Sequence, residues 1–377
     1  MKLPATRNVV FLGIGLGTSG LRYVPVSPCR VADTRNATGT FGGPILAANA
    51  SRSFPIPAGA CSIPATALAY ALNITVVPSG ALSDLYVFAT GQAVPTTALL
   101  SSDGRSKSNA AIVAAGISGG VSLQPTQNTH AVIDISGYFV PASNSTALEY
   151  FPVAPCRVVN YTYIAAGQTS SVPVVSSACK IPSTAQSYSV NITAQPTSGT
   201  LNSLYVWPTG KPQPTGSLLS APSGTLVGNT AIIAAGTSGQ ISILSSSSTQ
   251  VFVDINGYYA PAGSGGLSLY TVPQCRAING AKFVASTVLN IEGSACKPPA
   301  TAQAYVLNST VQPSYGYMGS LILWANGAAQ PGTSNLFDTD GSVISNGAVV
   351  ATTNGSISAN AQNQTTLWID INGYFAP

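Results

Sequence analysis

The residues that could do chemistry are few, and the first of them are glycines. Residues 8–20 read NVVFLGIGLGTSG, in which Gly15, Gly17 and Gly20 spell G-x-G-x-x-G after an apolar run. In a dinucleotide-binding turn this spacing lets the backbone approach a pyrophosphate held at a helix N-terminus. Here the next residues are LRYVPVSP, whose prolines and alternation exclude the required helix. His130 is the single histidine, which removes Ser-His and Cys-His nucleophiles. Sugar hydrolysis needs two acids on one cleft, but Asp33, Asp84 and Asp103 lack acidic counterparts in the second copy of the internal repeat set out below. The DTDG of 338–341 resembles part of a calcium loop, yet it aligns with SSDG and APSG and reads as a β-turn. The six cysteines contain no C-x-x-C, so zinc has too few ligands. These observations point to a protein that is not an enzyme and that carries no cofactor and no metal.

The scaffold that positions these groups is poor in charge. Charged residues make up 6% of the 377, against roughly 25% in ordinary domains, and Ser and Thr supply much of the polar surface. The net charge of +4 is spread thinly, whereas phosphate binding needs clustered Lys and Arg, so no nucleic-acid partner is expected. Weak repulsion between copies favours close packing in an assembly. No run of 18 apolar residues is present, so no membrane span is expected. Runs such as LYVFATG, HAVIDISGYF and TQVFVDINGYY, set among 37 Gly and 27 Pro, give an all-β reading.

The chain repeats itself three times. ACSIPATALAYALNITVVPSG returns as ACKIPSTAQSYSVNITAQPTSG and ACKPPATAQAYVLNSTVQPSYG, and the units close with DISGYFVP, DINGYYAP and DINGYFAP. A landmark asparagine moves from Asn73 to Asn191 to Asn308, steps of 118 and 117 residues, so each repeat has the length of a domain. We place β-sandwich domains of immunoglobulin-like size at 21–141, 148–261 and 267–377, joined by PASNSTA and PAGSGG as semi-flexible connectors. Residues 1–20 form an N-terminal extension.

Each unit carries two cysteines at matching landmarks: Cys29 and Cys61, Cys156 and Cys179, Cys275 and Cys296. They read as one disulfide per unit and an extracellular or cell-surface location. Two charges recur in all three units, the Arg after the first cysteine (Arg30, Arg157, Arg276) and the Asp before the closing GY (Asp134, Asp254, Asp370). They read as structural ion pairs tying the first strand to the last. Phe88, Trp207 and Trp324 recur before a turn, either as core residues or as rings that stack on a glycan. Nine Asn-x-Ser/Thr sequons occur; Asn36, Asn144 and Asn160 are the candidate glycosylation sites, while Asn73, Asn191 and Asn308 lie inside a predicted strand.

The motifs CRVADTR, ALNITVVPSG, LYVFATGQAVP, SNAAIVAAG and VIDISGYFVP together resemble the secreted β-repeats of Actinobacteria and Acidobacteria. The resemblance runs from Leu21 through all three units and implies an extracellular or cell-surface protein without enzymatic activity. DTR is intact only at Asp33, Thr34 and Arg35; the later units read NYT and NGA.

Residues 1–17 have no counterpart in the other units. In VVFLGIGLG, the side chains of Val10, Leu12, Ile14 and Leu16 fall on one face of a strand with glycines between them, and such a strand needs a sheet edge to cover it. The sequence therefore reads as a structural subunit of an extracellular filament that polymerises with copies of itself, head to tail, by donating this strand. A carbohydrate-binding surface adhesin is the alternative, with 1–17 as a signal peptide: Lys2 and Arg7 suit an n-region, though no A-x-A site follows. A phage tail or fibre component is the third reading.

Overall fold

A computed structural model describes residues 19–377. Val10, Leu12, Ile14 and Leu16 thus lie outside the described residues. The remainder is all-β, its only helical turns being three short 3-10 segments. The first repeat contributes β1 (Leu21–Asp33), β2 (Arg52–Pro55), β3 (Ala69–Pro78), β4 (Leu82–Ala89), β5 (Leu100–Ser102), β6 (Lys107–Ala114), β7 (Gly120–Pro125) and β8 (Thr129–Pro141). The second contributes β9 (Glu149–Ile164), β10 (Thr169–Pro173), β11 (Ser187–Pro196), β12 (Leu201–Pro208), β13 (Leu219–Ala221), β14 (Val227–Ala234), β15 (Gln240–Ser245) and β16 (Thr249–Ala260). The third contributes β17 (Ser268–Asn290), β18 (Ala304–Pro313), β19 (Gly319–Ala325), β20 (Leu336–Asp338), β21 (Ile344–Ala351) and β22 (Ser356–Ala376).

All strand pairs are antiparallel, and one pairing order recurs. β1-β8-β3-β6 and β2-β7-β4-β5 become β9-β16-β11-β14 and β10-β15-β12-β13. In the third repeat β17 stands for both β1 and β2, and β22 for both β7 and β8, because neither strand breaks between its two sheets. The sequence separation of paired cysteines falls from 32 to 23 and 21 along the chain; the loop that parts β1 from β2 shrinks to residues 165–168 between β9 and β10 and is absent from β17.

Alternation explains each repeat's core. Along β3, Tyr70, Leu72, Ile74 and Val76 enter a cluster with Phe54, Leu85, Val87, Val121 and Leu123 of the facing sheet. Tyr188, Val190 and Ile192 do the same on β11, and Tyr305, Leu307 and Val311 on β18. Each of these three clusters is drawn from one repeat. The opposite face of β3 carries Ala69, Ala71 and Asn73, of which both alanines are also buried. These alanines belong to a fourth cluster, shared by all three repeats. Small residues on that face let neighbouring sheets approach.

The connectors are fixed in place rather than acting as joints. Tyr23 and Leu148 exchange backbone hydrogen bonds at 2.8 and 2.7 Å, Tyr150 and Leu267 at 2.9 Å each way, and Leu269 pairs with Leu21. The three repeat starts therefore close on one another in a ring. The physical reason is local: each connector spans only a few residues, and both its flanking strands are already buried.

Cys29–Cys61, Cys156–Cys179 and Cys275–Cys296 are disulfide-bonded, with Cα atoms 5.8, 5.7 and 5.6 Å apart. Closing a loop of this length restricts the unfolded chain by about 3 kcal/mol. The double variant C156A/C179A should therefore lose about 3 kcal/mol in denaturant unfolding, and an unchanged unfolding midpoint would contradict that role.

Candidate functional site

The polar and aromatic groups of this protein converge where the three repeats meet. Tyr23 and Tyr150 sit on the first strands of repeats 1 and 2, and Phe139, Tyr259 and Phe375 on the last strands. Tyr23 lies 4.6 Å from Tyr259 and 5.1 Å from Phe139, and Tyr150 lies 5.2 Å from Tyr259 and 4.4 Å from Phe375. The closing GY motif makes room for them. A Cβ on Gly137 would stand 2.2 Å from the Tyr23 hydroxyl, and one on Gly257 equally close to that of Tyr150. The freed space lets Tyr23 donate to the Ser136 carbonyl at 2.8 Å and Tyr150 to that of Asn256 at 3.0 Å. Burial raises the Tyr23, Tyr150 and Tyr259 phenols far above their ordinary values; Tyr23 and Tyr150 stay neutral donors, while the buried Tyr259 hydroxyl has no hydrogen-bond partner.

Beside this cluster the asparagines form a closed circuit. Asn229 of repeat 2 donates through Nδ2 to Asn73 Oδ1 of repeat 1 at 2.9 Å. Asn346 of repeat 3 donates to Asn191 Oδ1 of repeat 2 at 3.0 Å, and Asn109 of repeat 1 to Asn308 Oδ1 of repeat 3 at 2.9 Å. Each donor's own Oδ1 accepts a backbone N–H from the partner repeat: Ala110 to Asn229, Thr230 to Asn346, Gly347 to Asn109, at 3.2, 3.1 and 2.8 Å. The acceptor amides return the favour, Asn73 Nδ2 reaching the carbonyls of Ser217 and Leu218, Asn191 that of Ser334, and Asn308 those of Ala98 and Leu99. Asn109 and Asn229 are fully buried. Asn73, Asn191 and Asn308 are thus committed to the circuit. Asn36, Asn144 and Asn160 are exposed.

The recurring charges lie at the same junctions. Arg30 faces Asp134 across β1 and β8, Arg157 faces Asp254 across β9 and β16, and Arg276 faces Asp370 across β17 and β22. The closest N–O distances are 2.5, 2.7 and 2.7 Å. Arg157 and Arg276 grip their carboxylates with two nitrogens, whereas Arg30 shares itself between Asp134 and Asp33. The pairs abut the next repeat: Arg30 reaches the Thr215 carbonyl at 3.4 Å, and a Cβ on Gly216 would stand 2.4 Å from the Asp134 carboxyl carbon. A further pair, Arg22–Glu149 at 2.5 Å, joins repeats 1 and 2 directly. Arg105 bonds both Asp103 and Asp340, joining repeats 1 and 3.

The other singled-out acids and His130 make local contacts. His130 Nδ1 sits 3.1 Å from the Thr34 hydroxyl. Asp33 is held by Arg30 and Arg35, and Asp103 by Arg105. Asp338 accepts from the Met318 and Gly341 backbones at 2.9 and 3.0 Å, which makes DTDG a hydrogen-bonded turn. Among the described residues no group of three or more His, Cys, Asp and Glu is placed to hold a metal. No helix among them is long and apolar enough to cross a membrane.

The glycan-stacking reading of Phe88, Trp207 and Trp324 is corrected by their burial, at 7, 6 and 6% exposure. The indole N–H groups are spent on their own turns, Trp207 on the Lys211 carbonyl and Trp324 on that of Ala328. Alternation points Val87, Val206 and Leu323 into the cores and turns these rings to the opposite face of the strand, where they are nonetheless covered and support the turn that follows. Sequence reasoning missed Asn109, Asn229 and Asn346. Their signal was the recurring SNAAIV, GNTAII and SNGAVV, an amide repeated inside an otherwise apolar strand.

Two outcomes follow from this geometry. N229A removes the amide that serves Asn73, Leu218 and Ala110, leaving buried partners unmet, and should cost about 2–3 kcal/mol in denaturant unfolding; a loss below 0.5 kcal/mol would contradict the circuit's role. The second concerns acid. Burial raises Asp134 to about 6 despite Arg30 beside it, and raises Asp254 and Asp370 as well. A carboxyl whose folded value exceeds its unfolded value binds more protons when folded, so stability falls as pH rises through that window. Asp340, which burial pushes up but Arg105 and Ser342 hold down at about 2, loses its contribution only in stronger acid. Melting temperature should therefore be higher at pH 5 than at pH 7, and the reverse order would overturn this account of the three pairs.

No family model matches the chain, and no curated protein does so. Among solved structures the chain is similar to one in the Sulfolobus turreted icosahedral virus, with 11% identity, 61% of this chain and 91% of that chain covered, and a TM-score of 0.19. It is also similar to the major capsid protein P2 of bacteriophage PM2, with 10% identity, coverage of 64% and 99%, and a TM-score of 0.18.

Proposed function

We propose that the chain is a structural subunit of an extracellular filament, in which three β-sandwich domains are fused into one rigid block that polymerises head to tail. The observation that carries this reading is the closed circuit of six asparagines. Each repeat meets the next through the same contacts, and the third returns to the first, so the junction surfaces are satisfied within one chain. Further growth must then use other surfaces, and a contact between unlike surfaces that does not close produces a filament.

The N-terminal strand supplies one side of that contact. The described chain leaves the block at Gly20, whose carbonyl accepts the Ala142 N–H at 2.9 Å. Beyond it runs the apolar alternation of Val10, Leu12, Ile14 and Leu16, suited to adding to a neighbour's sheet. Three disulfides suit an oxidising exterior, in keeping with the resemblance to secreted β-repeats. The adhesin reading loses its stacking rings to burial.

Among the described residues four apolar clusters and three disulfides hold the block together, and deleting 1–17 should leave a folded monomer. Electron microscopy of the full chain should show filaments, and the deleted form should show none; filaments of equal repeat from the deleted form would overturn strand donation.

A further inference from the structure

A donated strand needs a receiving edge, and the third repeat differs from the others in the edge it offers. In the sheets of repeats 1 and 2 that lie away from the junction, the edge strands β2 and β10 are 4 and 5 residues long and end at Pro55 and Pro173. Short strands and prolines are devices that protect an edge from further pairing. In repeat 3 the same edge is the second half of β17. It pairs with β22 continuously from Ala285 opposite Ala361 to Asn290 opposite Ser356. From Phe283 to Ile291 it contains neither a proline nor a charge. Among the described residues no strand pairs with the far side of this segment. Val284 and Val288 on it are 56% and 58% exposed. A bulge at Ala285, with φ of 61°, marks where the free segment begins.

The chain's own residues 10–16 fall short of this edge. Gly20 packs on Ser268, a Cβ there falling 2.4 Å from the Ser268 Cβ. Ser268 and Ala285 are the two ends of a long stretch of β17, on the order of 50 Å along the strand. From Gly20 back to Val10, the first apolar residue of the alternation, the chain spans at most about 36 Å. The occupant must then come from another copy.

Resting on the strand-donation reading, we propose that the free edge of β17, from Ala285 to Asn290, is the acceptor for the N-terminal strand of a second copy. The donor's Leu12, Ile14 and Leu16 lie beside Val284 and Val288 and cover them, while its glycines allow close approach on the other face. Each subunit thus gives the strand that precedes repeat 1 and receives one on repeat 3, which sets the direction of growth.

The test uses the full chain carrying V284K/V288K. Both positions are exposed, so the melting temperature should stay within a few degrees of wild type. The expected result is loss of filaments in electron microscopy and a monomer in sedimentation. Filaments indistinguishable from wild type would overturn this acceptor while leaving donation intact, provided the 1–17 deletion still abolishes them. Filaments from both variants, or a wild-type chain that is monomeric at every concentration, would overturn the donation reading itself. As a positive arm, chains carrying I14C and V288C, mixed and oxidised, should form a disulfide-linked pair; assembled filaments without that cross-link would also overturn the site.

Discussion

The structure depends on a constraint that begins with amide groups. A buried amide costs more to leave unmet than it returns when satisfied. At the junction, six asparagines meet that constraint only in a circle: Asn229 serves Asn73, Asn346 serves Asn191, and Asn109 serves Asn308. No two repeats can complete the set by themselves. The apolar cluster around Tyr23, Tyr150 and Tyr259 supplies non-directional attraction, whereas the amides fix which strand faces which and at what register. Buried polar groups often serve this kind of selection.

The same arrangement explains where the scarce charges went. A protein with 6% charged residues places Arg30–Asp134, Arg157–Asp254 and Arg276–Asp370 on the strands that border the junctions, and spends Arg22–Glu149 and Arg105–Asp340 on bonds between repeats. The raised carboxyls show that burial outweighs the guanidinium beside them. The pairs hold the first and last strand of each repeat opposite each other, which is also where the glycine of the closing GY receives its tyrosine in repeats 1 and 2.

Much of this was legible in the sequence, and the rest was hidden for a physical reason. The phase of the repeat, the placing of Cys29 and Cys61 and their counterparts, and the matching of Arg157 to Asp254 all follow from landmarks inside one unit. Alternation along β3 says that Tyr70, Leu72 and Ile74 share a face. It does not say what the other face meets. Ala69, Ala71 and Asn73 look like a face turned to water, and only contact with a second repeat reveals them as interior. Asn109 and Asn308 are 199 residues apart, beyond any local pattern. The connectors misled for the same reason: PASNSTA has a linker's composition, while the strands on either side of it are locked by Tyr23 and Leu148.

Three equivalent repeats arranged in a circle would offer the same free edge three times, so a single distinguished edge needs the repeats to differ. They differ where the chain had freedom. The residues between paired cysteines shorten along the chain, and in repeat 3 the break between first and second strand is gone, so that β17 runs on into the second sheet. Continuity removes the loop and the proline that close the edge in repeats 1 and 2. The N-terminal extension precedes repeat 1 and the open edge lies on repeat 3, so the change in one loop length makes the repeats of an otherwise threefold block unlike one another.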